Sequence, residues 1–515
     1  MTYWVEQKIG KNVYVYEVAS YWDSEKKQAR QKRRYIGKKD PITGKIITPR
    51  KGFTPRKARD YGDVYLLTYL GKRIGLWDVL KEVFPEEYEE IFNLSLYQVI
   101  EGDALYLFKG WAEGSYIEEG KIMNSQNISR LLESIGVRDD LVDKFFRLWL
   151  DRQQPIKSIV FDITSLSSYS RLIEYLEWGY NRDGEALPQI NLGMIVGYPS
   201  EIPIAYRIYP GSIPDVVTLK NVIVFLEELG LKEFLFVLDR GFYSASNIKE
   251  LNEKGIGFLL PLSWRTKIAR GLISRYHREL LSPINGFYWE KKAMFHTKKE
   301  IEIWGLSLCA HLFHDERRKA EEVEKFMRRM VEIEKSVSEM EFRDRKAVEE
   351  FIDENLKGGV KIFNIKGKAP FFQLERRAKV ISRLMNRMGK TILLSNQKGL
   401  GREEVLSFYR KKDTLEKMFD VIKNELDSKR LKIHSRARME GRIFLTFLAL
   451  ILYSEIHRIM REKDLYKTYT IPEVFLELKK LKVVTLSNGK SYLTEISKKQ
   501  RLLFEKFGVP PPVST

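Results

Sequence analysis

Residues 157–166 read Lys-Ser-Ile-Val-Phe-Asp-Ile-Thr-Ser-Leu, a nearly continuous apolar run that carries a single carboxylate, Asp162. A strand covered on both faces reads this way, whereas a strand with one wet face alternates polar and apolar residues. Outward from it, INLGMIVGY (190–198) and IPIAYRIYP (202–210) are joined by a short turn containing Pro and Ser, which predicts a hairpin. DVVTLKNVIVFLEELG (215–230) has helical spacing and stops at a glycine. EFLFVLDRGF (233–242) is a second apolar strand, SASNIKELNEKG (244–255) a second capped helix, and IGFLLPL (256–262) another strand.

The order β-β-β-α-β-α-β, a hairpin followed by β-α-β crossovers, is that of a ribonuclease H-like mixed sheet, so the predicted class is α/β. Asp162 lies inside one central strand, and Asp239 ends another, at the carboxyl end where open α/β sheets place their sites. A buried carboxylate is costly unless it is paired, hydrogen-bonded or metal-bound. Either aspartate alone reads most simply as a cap or a satisfied buried acid. Two strand-borne carboxylates in one sheet point instead to a hard cation such as Mg²⁺ or Mn²⁺, which prefers oxygen ligands. Gly241 relieves the turn that follows Asp239.

The same reading divides the whole chain. Residues 1–57 are β-rich and contain KKQARQKRRYIGKK (26–39), with eight basic residues and no acid. Such a run is a solvated face or, between strand-like segments, a basic ribbon against DNA, with Lys32, Arg33 and Arg34 at its centre. Residues 58–152 read as an accessory helical domain that could hold a DNA-binding helix-turn-helix. The core's first part is 153–262, and its second part, 391–465, follows an interruption. The interruption, 263–390, is too long for a loop and is expected to be an α+β subdomain with one charged helix from Asp315 to Asn355. Residues 466–515 form a C-terminal segment.

Net charge is +19 over 515 residues, which suggests a polyanionic partner because each cation on a phosphate releases a counterion. Charge alone also leaves anionic membranes and ribosomal RNA open. The single cysteine, Cys309, excludes an internal disulfide and a Cys-rich zinc site. The N-terminal residues lack a signal-peptide layout, and the longest greasy run, 443–453, is about half a bilayer span. A soluble, reducing compartment, the cytoplasm, is expected, with no membrane partner.

After TILLSN (391–396) comes a helical stretch in which Tyr409, Lys412, Glu416 and Lys423 fall within an arc of roughly 60° at 3.6 residues per turn. An acid flanked by an aromatic ring and two cations suits a metal and the phosphate beside it; the plainer reading is a solvent face of Glu/Lys pairs.

Here the chain resembles the bacterial and archaeal insertion-sequence transposases of the DDE class, in the group with a Tyr-(2)-Arg-(3)-Glu-(6)-Lys signature. Tyr409-Arg-Lys-Lys412-Asp-Thr-Leu-Glu416-Lys-Met-Phe-Asp-Val-Ile-Lys423 has that spacing, with Lys412 where arginine is usual. Gly179-Tyr-Asn-Arg-Asp-Gly-Glu-Ala-Leu-Pro-Gln189, Pro210-Gly-Ser-Ile-Pro-Asp215 and Asp239-Arg-Gly-Phe-Tyr-Ser244 look like that group's recurring blocks, in its order. The resemblance covers residues 155–460, and the insert before the third acid matches the group's habit.

The resemblance implies that Asp162, Asp239 and Glu416 are the catalytic, metal-binding acids, served by two Mg²⁺ or Mn²⁺ ions. It implies that Tyr409, Lys412 and Lys423 bind DNA phosphate; Lys412 keeps the charge of arginine but lacks its planar fork. Arg240 beside Asp239 is a further DNA-binding candidate. The implied reaction is cleavage at transposon ends and transfer of the 3′-OH ends to target DNA. The implied partners are terminal inverted repeats, target DNA and a second copy in a synaptic homodimer. The rivals are a domesticated DNA-binding protein that no longer cuts and a ribonuclease H-like nuclease that cuts without joining. Trp264, Trp289 and Trp304 in or near the insert read as core residues before base-stacking ones, and His311 and His314 as too isolated to be ligands.

Overall fold

The computed structural model describes residues 2–24, 26–48, 54–117, 119–170, 172–426 and 430–513. Thr2–Ile9 (β1), Asn12–Asp23 (β2), Gln28–Lys39 (β3) and Ile46–Ile47 (β4) form an antiparallel sheet in that order. The basic run is therefore mostly strand β3 itself and not a connection between strands. Pro55–Asp60 (β5) leaves this sheet and pairs with a C-terminal strand described below. Six helices follow: Gly62–Arg73 (α1), Leu76–Val83 (α2), Tyr88–Glu101 (α3), Phe108–Gly114 (α4), Ser125–Gly136 (α5) and Asp139–Arg152 (α6).

The expected β-β-β-α-β-α-β order is present as Ser158–Ser168 (β6), Gln189–Tyr198 (β7), Ile202–Pro210 (β8), Asp215–Glu228 (α7), Leu235–Leu238 (β9), Ala245–Glu253 (α8) and Gly257–Pro261 (β10). β6, β9 and β10 are parallel neighbours, and β6-β7-β8 is an antiparallel meander, so the sheet is mixed. Every residue of β7 is buried, and all of β6 except Asp162. That is why both strands read as unbroken apolar runs.

After Lys267–Leu280 (α9), the strands Gly286–Trp289 (β11), Lys292–Ile303 (β12) and Leu306–Asp315 (β13) extend this same sheet. Lys390–Ser395 (β16) joins them to β10, giving the order β11-β12-β13-β16-β10-β9-β6-β7-β8. The insert expected as one self-contained subdomain is thus divided. Only its middle closes a core of its own, made by Glu316–Glu339 (α10), Arg345–Asn355 (α11), Phe363–Lys368 (β14), Phe371–Arg376 (β15) and Ala378–Met385 (α12), around Met330, Ile333, Val348 and Ile352. The single long helix expected over 315–355 is broken at 340–344 without Pro or Gly. Phe342 turns inward, donating its N–H to Pro370 O (2.9 Å), and Asp344 caps α11 by accepting from Ala347 N (2.8 Å).

Arg402–Asp420 (α13) then crosses the sheet and ends in a π-helical turn, Val421–Glu425. The chain next pairs with the far end of β6 as Arg430–Leu431 (β17), parallel and in register with Ser167 and Ser168. Arg436–Glu462 (α14) is long and apolar enough to cross a membrane, longer than the 443–453 run suggests. However, 83% of its most apolar window is buried inside the protein. It packs against α3 and α5 on one side and β8 on the other. One continuous apolar core therefore joins the helical region to the sheet. Ile471–Leu478 (α15), Lys482–Leu486 (β18, paired with β5), Ser491–Leu493 (β19) and Lys498–Lys506 (α16) close the chain back onto α1.

The α5/α14 crossing is set by two glycines. A Cβ on Gly441 would lie 2.0 Å from Leu132 O, and one on Gly136 1.7 Å from Ala437 O, so backbones touch where side chains normally separate helices. Alanine is the better helix former by about 1 kcal/mol, yet no side chain can give way here. Gly441→Ala is therefore expected to lower unfolding stability by about 1–3 kcal/mol, the usual range for overpacking, in chemical denaturation at fixed pH. A rise in stability would show that helix propensity outweighs the crossing.

Candidate active site

Parallel register brings the first two acids together. Phe161 pairs with Leu238 across β6 and β9, so Asp162 and Asp239, the next residues, stand side by side on adjacent strands about 4.8 Å apart. β9 ends there while β6 continues, which leaves Asp239 at the lip of the sheet. Asp162 is largely buried, and burial pushes its carboxyl up to about 6; Asp239 adds to the rise, while Lys412 and Arg182 oppose it. It accepts the Ile163 N–H at 2.8 Å.

The third acid arrives on α13, which lies over β6, β9 and β10. Lys412 on this helix places Nζ 2.7 Å from Asp239 Oδ1 and 3.1 Å from Glu416 Oε1, with only 14% of its side chain exposed. Burial alone would favour the neutral amine, but the bonds to Asp239 and Glu416 and the field of Asp162 hold the ammonium well above the usual lysine range. The carboxylates of Asp239 and Glu416 thus converge on one cation, supplied by the chain itself. Among the described residues no three acids, histidines or cysteines are grouped closely enough to hold a metal by themselves. The two observations fit each other, because Lys412 stands between the oxygens that would be ligands. The donor set, all carboxylate oxygen, is that of Mg²⁺ or Mn²⁺.

Tyr409 is half-buried beside the site, and burial raises its phenol. Lys423 is 10% exposed and holds Asp183 Oδ1 at 2.8 Å. The wider π turn takes it out of the 3.6-residue phase assumed from the sequence. Both lysines expected to grip phosphate are therefore in internal ion pairs in the DNA-free chain. Arg240 is exposed next to Asp239. In the N-terminal sheet, Lys32 and Arg34 share one face of β3 while Arg33 points to the other, and Arg34 lies 4.0 Å from Glu17. The three are not one contiguous patch.

Two residues went unrecognised in the sequence. Arg182 grips Asp215 with both carboxylate oxygens at 2.6 Å and reaches Ser165 Oγ at 3.3 Å. Both lie inside the quoted 179–189 and 210–215 blocks, where a lone Arg and a lone Asp in otherwise uncharged or acidic surroundings were the available signal. Gly241 has an ordinary φ; its Cβ would sit 3.3 Å from Asp215 Oδ2, so the glycine makes room for this pair and is not required by the turn. His311 is not isolated: its Nδ1 lies 3.1 Å from His296 Nε2 across β12 and β13. Trp289 stacks under Arg410 of α13 at 4.2 Å, Trp304 packs on Tyr243, and Trp264 lies against the main core.

The raised carboxyl of Asp162 has a consequence for stability. The folded chain holds this proton more tightly than the unfolded one, whose value is near 3.8. Its contribution is therefore full below pH 4 and lost as pH rises through about 6. Asp162→Asn is expected to raise the melting temperature of the metal-free chain at pH 8 and leave it unchanged near pH 4. Equal melting temperatures at both values would mean Asp162 is better solvated than its burial implies.

A search of curated proteins finds no match to this chain. Among solved structures, a cryo-EM structure of the piggyBac transposase synaptic complex with hairpin DNA is similar at 11% identity and a TM-score of 0.34, over 80% of this chain and 70% of that one. At that score the likeness carries no argument. A family model described as "Transposase DDE domain" matches residues 153–452, more than half of the chain and all of the segment from β6 through most of α14; the protein belongs to the DDE transposase family.

Proposed function

We propose that this transposase cleaves transposon ends and transfers their 3′-OH ends to target DNA, using Asp162, Asp239 and Glu416 on a ribonuclease H-like core. The observation that carries this reading is the convergence of Asp239 and Glu416 on a single cationic point beside buried Asp162. These three carboxylates are the groups that would hold two Mg²⁺ or Mn²⁺ ions. Such ions, when bound, activate water and neutralise the charge that builds on the phosphate. The chain's own contribution is positional. β6 and β9 hold two carboxylates rigidly, and α13 brings the third to the same lysine that Asp239 engages. The buried floor around Asp162 keeps bulk water from screening the charges. Lys412 keeps Asp239 and Glu416 from repelling each other in the metal-free chain; were these carboxylates to hold a metal, the Lys412 ammonium would be free to serve the DNA backbone. Lys423, Tyr409 and Arg240 are proposed to hold phosphate. A second copy completes the synaptic assembly, and the N-terminal sheet with α1–α6 reads the terminal inverted repeats.

One observation favours a second reading: a lysine seated between two of the acids also suits a descendant that binds DNA and no longer cuts. End cleavage on DNA carrying the repeats that flank the gene decides between them. Alanine at Asp162, Asp239 or Glu416 is expected to reduce Mg²⁺-dependent cleavage below detection with DNA affinity within about twofold of wild type. Cleavage that survives all three substitutions would remove the assignment. In the same chain Lys412→Ala is expected to bind Mn²⁺ more tightly in titration calorimetry, since no internal cation competes.

Binding should fall steeply with salt, as it does wherever phosphates displace counterions. Neutralising Lys32 and Arg34, which share a face, is expected to flatten the slope of log affinity against log salt by about 1–2. Neutralising Arg33 alone should have the smaller effect. Equal slopes for all variants would make β3 a solvated edge.

A further inference from the structure

The connection between β6 and β7 combines features that rarely occur together. Three of its aromatic side chains stand in water: Tyr169 is 61% exposed, Trp178 67% and Tyr180 83%, the last being the most exposed aromatic ring among the described residues. Its backbone, by contrast, is pinned. Glu177 and Gln189 exchange N–H and C=O bonds at 3.0–3.1 Å, Tyr180 O accepts from Gln189 Nε2 at 3.0 Å, and Gly179 is so close to Gly211 that a Cβ would meet its carbonyl at 1.9 Å. Large rings exposed on a mobile loop need no explanation. Rings exposed on an anchored loop are presented, because the fold fixes their bases while leaving their faces unpaired.

We propose that Trp178 and Tyr180 form a stacking platform for unpaired nucleobases of the DNA strand that enters the carboxylate site. This rests on the reading of Asp162, Asp239 and Glu416 as the cutting site. Position and charge favour this occupant over a protein partner. Tyr180 O lies 3.5 Å from Ser165 Oγ, and Ser165 is three residues beyond Asp162 on β6, about 10 Å at strand spacing. That is a reach of two or three nucleotides. Two of the connection's four acids are engaged by cations, Asp183 by Lys423 and Glu185 by Arg430, and Arg430 also lies 5.6 Å over the Tyr169 ring. The connection is thereby tied by cations to the segment that follows α13, through Lys423 of the π turn and Arg430 of β17. Separate protruding rings suit single bases, whose faces are free, and not a duplex, whose base faces are already stacked.

The test uses the full-length chain in chelator, so that no cleavage occurs, with two probes: a dodecamer of thymidylate and a blunt duplex of equal length and mixed sequence. Replacing Trp178 and Tyr180 together by Ala is expected to weaken thymidylate binding by about tenfold or more, the scale of losing one stacked base. Duplex binding should change less than twofold. Replacing both by Phe, which keeps the rings, should restore thymidylate binding. The proposal is overturned if the alanine variant binds both probes as wild type does, if both weaken equally, or if it alters only self-association in sedimentation. Cleavage plays no part in this measurement. A failure of the three-acid assignment would instead show as cleavage that survives alanine at Asp162, Asp239 and Glu416, with base-selective binding intact.

Discussion

A helix as apolar as α14 cannot stand in water, and the architecture follows from how it is covered. Its buried stretch from Ile443 to Leu452 is too long for one layer to enclose. Helices α3 and α5 take one side, and β8 of the sheet takes the other. The residues proposed to cut DNA and those proposed to read it are thereby carried on one core. Trp149 of α6 donates its indole N–H to Pro203 O in β8 at 2.9 Å, a polar tie across the same junction. Buried charge is handled in the same economical way: Glu455 of α14, 2% exposed, is held by Arg73 of α1 at 3.0 Å and Arg458 at 2.9 Å. Such a group is tolerable only with its partners, so it fixes the register of α14 against α1.

On that frame the site is an electrostatic problem with two solutions. Carboxylates drawn together at a sheet edge repel, and burial of Asp162 makes the repulsion stronger. An external divalent ion is one remedy. The ammonium of Lys412 is another, present in the chain at all times. Arginine, usual at this position in the resembling group, is a planar fork that suits a carboxylate edge or a phosphate. Lysine is a compact point charge that can sit between two carboxylates. In the DNA-free chain Lys412 serves two carboxylates at once.

The core was legible because burial leaves its mark on every position. β6, β7, β9 and β10 are covered on both faces, so their apolar runs need no partner to be recognised. The two aspartates were legible as exceptions within those runs. Glu416 was legible only as spacing, and its role came through resemblance, since an exposed acid on an amphipathic helix is ordinary. What sequence could not show is what depends on distant pairing. β11–β13 read as an insert's own strands because nothing local says that β16 will join them to β10. The break at 340–344 is made by Phe342 finding a core and Pro370, not by any helix-breaking residue. The meeting of Lys412 with Asp239 was hidden because the two lie 173 residues apart in the chain.

That separation acquires a different meaning while the protein is being made. A ribosome adding roughly 5–20 residues per second needs about 10–35 s to pass from Asp239 to the helix 173 residues later. During that interval the nascent chain carries two of its three carboxylates and an unfinished sheet, with β16, α13 and β17 still to come. Translation that stops anywhere inside the insert releases a product without the third acid. An interruption that looks like a decoration on the fold therefore also sets a delay, parting Asp239 from Lys412 in the time of synthesis as well as in the sequence.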